Sequence, residues 1–482
     1  MPKRRAAFVL LLMFPALVAG QTPKPNPLAP FIAVDAPVVA LEHVEVIDGT
    51  GGAARMDQTI VLDHGKIDAV GPAGSTVVPA GAKLMDLEGH TVYPGLVAMH
   101  EHLFYAEPGN RALHGLVTGE LVDTGPRLYL AAGVTTARTT GSAEPYTDLN
   151  LRNEVDAGAI PGPTLDITGP YLEGNPPLIP QMHVLTGPED ARRMIDYWVP
   201  EGVTSWKAYM HISPEELKAA IEEAHAKGEK LTGHLCTVGF TEAAEMGIDN
   251  LEHGIAVDTE FTPGRKEGEC PSNAVPYLAE HVAMDSAPVM TMIHTLVEHH
   301  VAVTSTLAVL DSFVPDHPSM AFMMRERDSL PPTSWSGILM TRAMIAENAA
   351  KSSWPVMLKK EMQFEREFVE AGGLLMAGCD PTGYGAVLPG FGDERNLELL
   401  VEAGFTPEQA IEIATKNGAE YEGKAGRIGT IAVGKQADLV VVKGDVAKNI
   451  GAVEQVETVF KNGVGFDSEK LIESVRGMVG LR

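Results

Sequence analysis

Eight short apolar runs, most of them followed by a helical pattern, constrain this chain more than any other feature. They are LVAMHEHL (96–103), VTTARTT (134–140), TLDITG (164–169), VTSWKAYM (203–210), KLTGHL (230–235), DNLEHG (249–254), VAVTSTL (301–307) and GLLMAGCD (373–380). A strand with one wet face alternates apolar and polar residues, whereas a strand covered on both faces reads as a continuous apolar run. The clearest helix between the runs is SPEELKAAIEEAHAKG (213–228), with Ser213 as its cap, Pro214 in the first turn and Gly228 at the stop. Strand–helix alternation repeated eight times predicts an α/β fold, a parallel (β/α)8 TIM-type barrel. A doubly wound open sheet is the alternative, but no Gly-rich phosphate fingerprint follows the first strand.

The ends of the chain have a different texture. VVALEHVEVID alternates, TIVLDHGKIDAVG reads as a hairpin turning at His64-Gly65, and GTIAVGKQADLVVVKGD and VETVFKNGVGF are β runs punctuated by glycine. These regions, 38–92 and 421–482, are expected to form one small β-sandwich domain beside a barrel at 93–420. Before them, Lys3, Arg4 and Arg5, an apolar run to Ala19, and Gly20 have the layout of a secretory signal peptide (1–20), followed by a Pro-rich linker (21–37). Cleavage near Gly20 would leave a periplasmic or secreted protein without stable membrane insertion. The net charge of −27 argues against nucleic acid and anionic membranes as partners. Three cysteines cannot form a disulfide scaffold, although Cys236 and Cys270 could meet near the barrel mouth, as a disulfide or as free thiols.

Spacing and location select among the sixteen histidines. His100 and His102 lie two apart at the end of the first run, and side chains at i and i+2 share one face of a strand. His234 ends the fifth run, His253 the sixth and Asp380 the eighth. In a parallel barrel all strand C-termini share one face, so these residues converge on one mouth. Imidazole and carboxylate ligands suit zinc or a similar divalent ion. Lys207 sits inside the fourth run, where an unpaired ammonium is costly. It could be a Schiff-base lysine, a salt-bridged structural lysine or a lysine carbamylated by CO2. The carbamate, an anion able to bridge two metals, fits the surrounding ligands best.

With YPGLVAMHEH, AGVTTARTTG, GVTSWKAY, KLTGHL, IDNLEHG, LLMAGCDPTG, LVEAGFTPEQAIEIATKNGAE and GRIGTIAVGKQADLVVV, the chain resembles the amidohydrolase superfamily over about 93–443, most of all its imidazolonepropionase-like and prolidase-like members. That resemblance implies two divalent ions. His100 and His102 would hold the more buried one and His234 and His253 the more exposed one. Carbamylated Lys207 would bridge them, and Asp380 would bind the first ion and shuttle the proton. Glu101 stands between the two histidines where a small or apolar residue is expected, and by alternation points away from the metals. Cys379 stands where threonine is commoner.

These parts imply a hydrolase of carbon–nitrogen bonds. Asp380 would carry a proton from water to the leaving nitrogen, and Tyr209, two residues beyond Lys207 on the same face, would donate to the oxyanion or simply pack. His183, after the third strand, is placed to touch substrate or to face solvent. The long stretch 255–287 reads as a lid. The helical segment 311–371 reads as a cover that could reach a second copy of the chain in a homo-oligomer. Small-molecule substrates are expected, with dipeptides or N-acyl amino acids leading. Cyclic amides or imines are the alternative within the enzyme class, and a non-catalytic binding protein the alternative outside it.

Overall fold

The computed structural model describes residues 26–107, 118–266 and 268–480, so the signal-peptide segment lies outside the described residues. All eight apolar runs contain strands. They are Leu96–Glu101, Val134–Thr139, Thr164–Asp166, Ser205–Ala208, Lys230–Gly233, Asn250–Glu252, Ala302–Ser305 and Leu375–Ala377, called here the first to eighth parallel strands. The first three form one parallel sheet in the order third–second–first, and the last five a second parallel sheet in sequence order. Between the sheets, Thr168 bridges Ser205 and Leu172 bridges Ala208, both in parallel sense. At the other end the Asp380 N–H donates to the His100 carbonyl (3.0 Å).

Most of the parallel strands are fully covered. Every residue of the first, second, fourth, sixth, seventh and eighth strands is buried. Helices supply that cover. Pro214–Ala226 opens with a capping box, in which Ser213 and Glu216 each accept from the other's backbone N–H, and presents Leu217, Ala220, Ile221 and Ala224 to the core. The segment 307–370 forms four helices, Leu307–Asp311, Met320–Glu326, Pro332–Glu347 and Trp354–Glu370. Among the described residues no helix is long and apolar enough to cross a membrane.

The chain ends build a nine-stranded sheet with strands from both sides of the barrel region. Leu439–Lys443 pairs antiparallel with both His90–Pro94 and Val456–Lys461, so the two ends of the chain share one hydrogen-bonded ladder. The hairpin Arg55–Asp63/Lys66–Pro72 turns at His64 (φ 45°) and Gly65 (φ 81°), the left-handed pair that a two-residue hairpin needs. This sheet encloses its own core, with Val39, Leu41, Ile60, Leu62, Val92, Leu439, Val441 and Phe460 in contact. One reading of the linker is corrected. Ile32–Val34 is a strand paired antiparallel with Val464–Asp467, because Val34 buries its side chain in that core.

Gly378, just past the eighth strand, has no room for a side chain. A Cβ there would lie 2.8 Å from the His100 Cα and closer still to the His100 nitrogen. Gly378→Ala must therefore push the eighth strand off the first, at a cost typical of overpacking, ~1–3 kcal/mol. A melting curve should show the lower stability, and a metal titration on the same variant should show weakened binding at His100.

Candidate metal centre

The C-terminal ends of the parallel strands bring distant residues together. His100 is the penultimate residue of the first strand and His102 directly follows that strand, Lys207 lies in the fourth, and His234 and His253 directly follow the fifth and sixth. The four imidazoles form a chain of neighbours. Ring centroids are 5.4 Å apart for His100–His102, 4.6 Å for His100–His253 and 4.5 Å for His234–His253. Asp380 reaches into this group. Its Oδ1 lies 3.3 Å from His102 Nε2 and 3.8 Å from His100 Nε2, and its Oδ2 lies 3.9 Å from His253 Nδ1. His100, His253 and Asp380 each offer one ligand atom within 4.8 Å of the others.

Two of these residues, His253 (φ 66°) and Asp380 (φ 49°), adopt the left-handed backbone region that side chains other than glycine rarely occupy. Such conformations persist where the surroundings over-determine them. For His253 the surroundings are visible. Its Nδ1 pairs with Thr306 Oγ1 (2.7 Å), and Glu361 accepts the Ala256 N–H (2.7 Å) just beyond it. Gly254 has no Cβ because one would overlap the Glu361 carboxylate.

The electrostatics suit a cation. Burial and the nearby Lys207 charge lower His100 to about 4. Burial, and then His253 and Lys207, hold His234 well below its usual range. Burial, and then His100, do the same for His253. All three rings are therefore neutral, as a metal ligand must be. Burial pushes Asp380 up, but the surrounding histidines outweigh it and keep the carboxyl ionised. The buried Nδ1 of His102 has no hydrogen-bond partner. Neutral imidazoles converging on an ionised carboxylate, with an orphaned ring nitrogen among them, are a donor set that fits a divalent ion. Lys207 is 1% exposed, and among the described residues no carboxylate pairs with its ammonium. Burial lowers it to about 8, against the pull of Glu252 and Asp380.

Sequence reasoning did not identify the network beneath these residues. Glu252, 0% exposed, accepts from His100 Nδ1 (2.7 Å) through one oxygen and from Arg138 Nη2 (2.9 Å) through the other. An ionised carboxylate only accepts, so Nδ1 of His100 carries the proton and Nε2 keeps its lone pair free for a metal ion. Arg138 also donates to Asn250 Oδ1 (2.7 Å) and the Met99 carbonyl (2.6 Å), and the Thr232 hydroxyl donates to Glu252. The signal was present in the runs themselves. VTTARTT carries Arg138 and DNLEHG carries Glu252 inside a buried strand, and opposite buried charges need each other.

The remaining expected residues divide. Tyr209 lines the site, edge-on to His234 (5.1 Å) and to Tyr171 (4.9 Å). His183 does not line it. Its Nε2 pairs with Asp190 Oδ2 (2.9 Å) at the start of the helix Pro188–Glu201, which draws the ring away from the mouth. Glu101 turns instead to the backbone and side chain of Cys379, accepting from its N–H (3.0 Å) and thiol (3.1 Å). Cys236 and Cys270 are joined as a disulfide. Above the histidines lies a cavity of about 490 Å3, which the disulfide also lines.

The amidohydrolase family model matches residues 91–465 of the chain. Over 437 residues the chain is 24% identical to the imidazolonepropionase of Geobacillus kaustophilus (strain HTA426), a match covering 84% of this chain and 89% of that protein. A stretch of 109 residues is 35% identical to the imidazolonepropionase of Stenotrophomonas maltophilia (strain R551-3), covering 21% of this chain and 25% of that protein. Among solved structures, molinate hydrolase superimposes with a TM-score of 0.66 at 18% identity, over 93% of this chain and 98% of that one. A Xaa-Pro dipeptidase with bound methionine in its active site superimposes with a TM-score of 0.64 at 19% identity, over 89% of this chain and all of that one. At these identities the structural likeness concerns the fold.

Glu252→Gln keeps the shape at His100 but removes the charge that fixes the ring and balances Arg138. Loss of such a partner typically weakens metal binding ~10–100-fold. Calorimetric titration of the metal-stripped variant with Zn2+ should show a drop of that size, and an unchanged affinity would release Glu252 from this role.

Proposed function

We propose that this chain, which belongs to the amidohydrolase family and is a hydrolase of carbon–nitrogen bonds, cleaves the amide bonds of small substrates, dipeptides or N-acyl amino acids, after export from the cytoplasm. The observation that carries the reading is the convergence of His100, His102, His234, His253, Lys207 and Asp380 at the strand ends, around one cavity. Cyclic amides are the second reading, favoured by the long match to the G. kaustophilus imidazolonepropionase. The two parallel sheets would close as a (β/α)8 barrel (93–420). The terminal sheet would fold over its own core as a small β-sandwich domain (38–92 and 421–482).

Two divalent ions, zinc by ligand preference, would be held by the four histidines, Asp380 and Lys207. Bound there, such ions supply a Lewis acid for the carbonyl and lower the pKa of a water. The other roles fall to this chain's own residues. Asp380, ionised and within reach of His102, accepts the water's proton and returns it to the leaving nitrogen. Tyr209 lines the same cavity and would donate to the developing oxyanion. Lys207 reacts as the neutral amine with CO2. One proton leaves to free the amine, the N–C bond then forms as one C=O π bond of CO2 opens, and a second proton leaves the nitrogen, so that a buried cation becomes an anion with two oxygens.

Export would follow from the signal peptide at 1–20, with cleavage near Gly20. The Cys236–Cys270 disulfide supports an oxidising compartment. Partners would be small molecules rather than nucleic acid, consistent with the acidic chain.

Metal analysis of the loaded protein should find two ions per chain, and chelation should abolish hydrolysis of a panel of dipeptides, N-acyl amino acids and cyclic amides. Fewer than one ion per chain, or turnover in chelator, would end the reading. Asp380→Asn should lower kcat by ~10²–10⁴ while retaining most of the metal. Lys207→Ala should lose one ion and nearly all activity, with partial rescue by acetate or propionate. Unmodified Lys207 in the density of an active, metal-loaded crystal would exclude the carbamate.

A further inference from the structure

The cavity above the histidines has an unusual division of chemistry. Its floor carries every charged or imidazole group. Apart from Lys207, Asp380 and the four histidines, each described residue that lines it is uncharged. The walls come from three separate segments. Leu178 and Ile179 follow the third strand, Val257 and Val275 lie beyond His253, Leu310 and Trp354 belong to helices that cover the site, and Phe313 lies in the turn after the helix that carries Leu310.

These walls are built to stay in place. Cys236, two residues beyond His234, is joined to Cys270, so the segment that carries Val257 and Val275 is covalently fixed to the fifth strand's end. Arg265 reinforces it, donating to the Thr237 carbonyl (2.6 Å) and to Thr259 (3.0 Å). Opposite, the Phe313 and Trp354 rings pack against each other at 4.9 Å. Phe313, Trp354, Val257 and Val275 are each only partly buried in the molecule, so apolar surface is left uncovered toward the cavity. Apolar surface in a fixed concave wall is covered at least cost by an apolar ligand group.

We propose that the substrate carries a large apolar group, an alkyl chain or an aryl ring, on one side of the scissile C–N bond, seated against this three-part wall. The proposal rests on the amide-hydrolase reading above and deepens it, by excluding small polar dipeptides and favouring amides with bulky apolar acyl or amine parts. Each methylene buried in such a wall strengthens binding about three- to fourfold.

The test uses the metal-loaded full chain. Two amide series are compared by kcat/KM, N-alkanoyl-leucines from acetyl to octanoyl and N-acetyl amino acids from alanine to phenylalanine. In parallel, calorimetry measures binding of the matching ketones, in which CH2 replaces the amide N–H so that no cleavage can occur. The expected result is a rise of about two- to fourfold per methylene in at least one series, seen in both turnover and ketone affinity. Val275→Asp should flatten that slope. Turnover with flat or falling slopes overturns the apolar-wall proposal while leaving the hydrolase reading intact. Rising ketone affinity without cleavage of either amide series upholds the wall and overturns the assigned reaction on these amides. Absence of binding by every ketone overturns the wall.

Discussion

The buried contact between Glu252, His100 and Arg138 underlies the rest of the site. Each group alone would be costly where it lies, since removing one charge from such a set leaves the other uncompensated at ~3–5 kcal/mol. Together they are satisfied. Arg138 spends its remaining donors on Asn250 and the Met99 carbonyl, and Thr232 completes the shell of Glu252. Arg138 comes from the second strand, His100 from the first, Thr232 from the fifth and Glu252 from the sixth, so one polar network ties both parallel sheets together beneath the catalytic face. It also decides which nitrogen of His100 keeps its lone pair free.

A second constraint is backbone strain at the two residues that must project furthest into the mouth. Conformations like those of His253 and Asp380 cost ~1–3 kcal/mol each. The helix Trp354–Glu370 offsets part of that at His253. Glu361 receives the Ala256 N–H, and one turn along, Glu365 lies beside Ser305, next to the Thr306 that meets His253. Burial, and then the neighbouring Glu365, raise the Glu361 carboxyl well above the usual carboxylate range, while burial raises Glu365 to about 8.

The strands were readable because most of them are covered on both faces and are written as short, largely uncharged runs. The converging residues were readable because parallel strands end on one side, so a residue's place at the end of its run located it in space. Glu252 and Arg138 were not read, although their charges interrupt apolar runs, because pairing across strands depends on register and register is not written in either run alone. His183 misled for a related reason. It follows the correct strand, but Asp190, seven residues on, claims it. The strand Ile32–Val34 was hidden by its Pro-rich surroundings, since its partner lies at the far end of the chain.

Pairing between the two ends of the chain also bears on how the protein is made. The strand His90–Pro94 leaves the ribosome about 345 residues before Leu439–Lys443, the strand beside which it must lie. At ~5–20 residues per second this is a wait of roughly 20–70 s. Throughout that interval the strand His90–Pro94 presents an open edge, the kind of edge that pairs with any available chain. The barrel region between them can begin to fold as it emerges, but the terminal sheet is necessarily the last part of the molecule to assemble. Its nascent hairpin, locked early by the turn at His64-Gly65, is the element that must be shielded until synthesis ends.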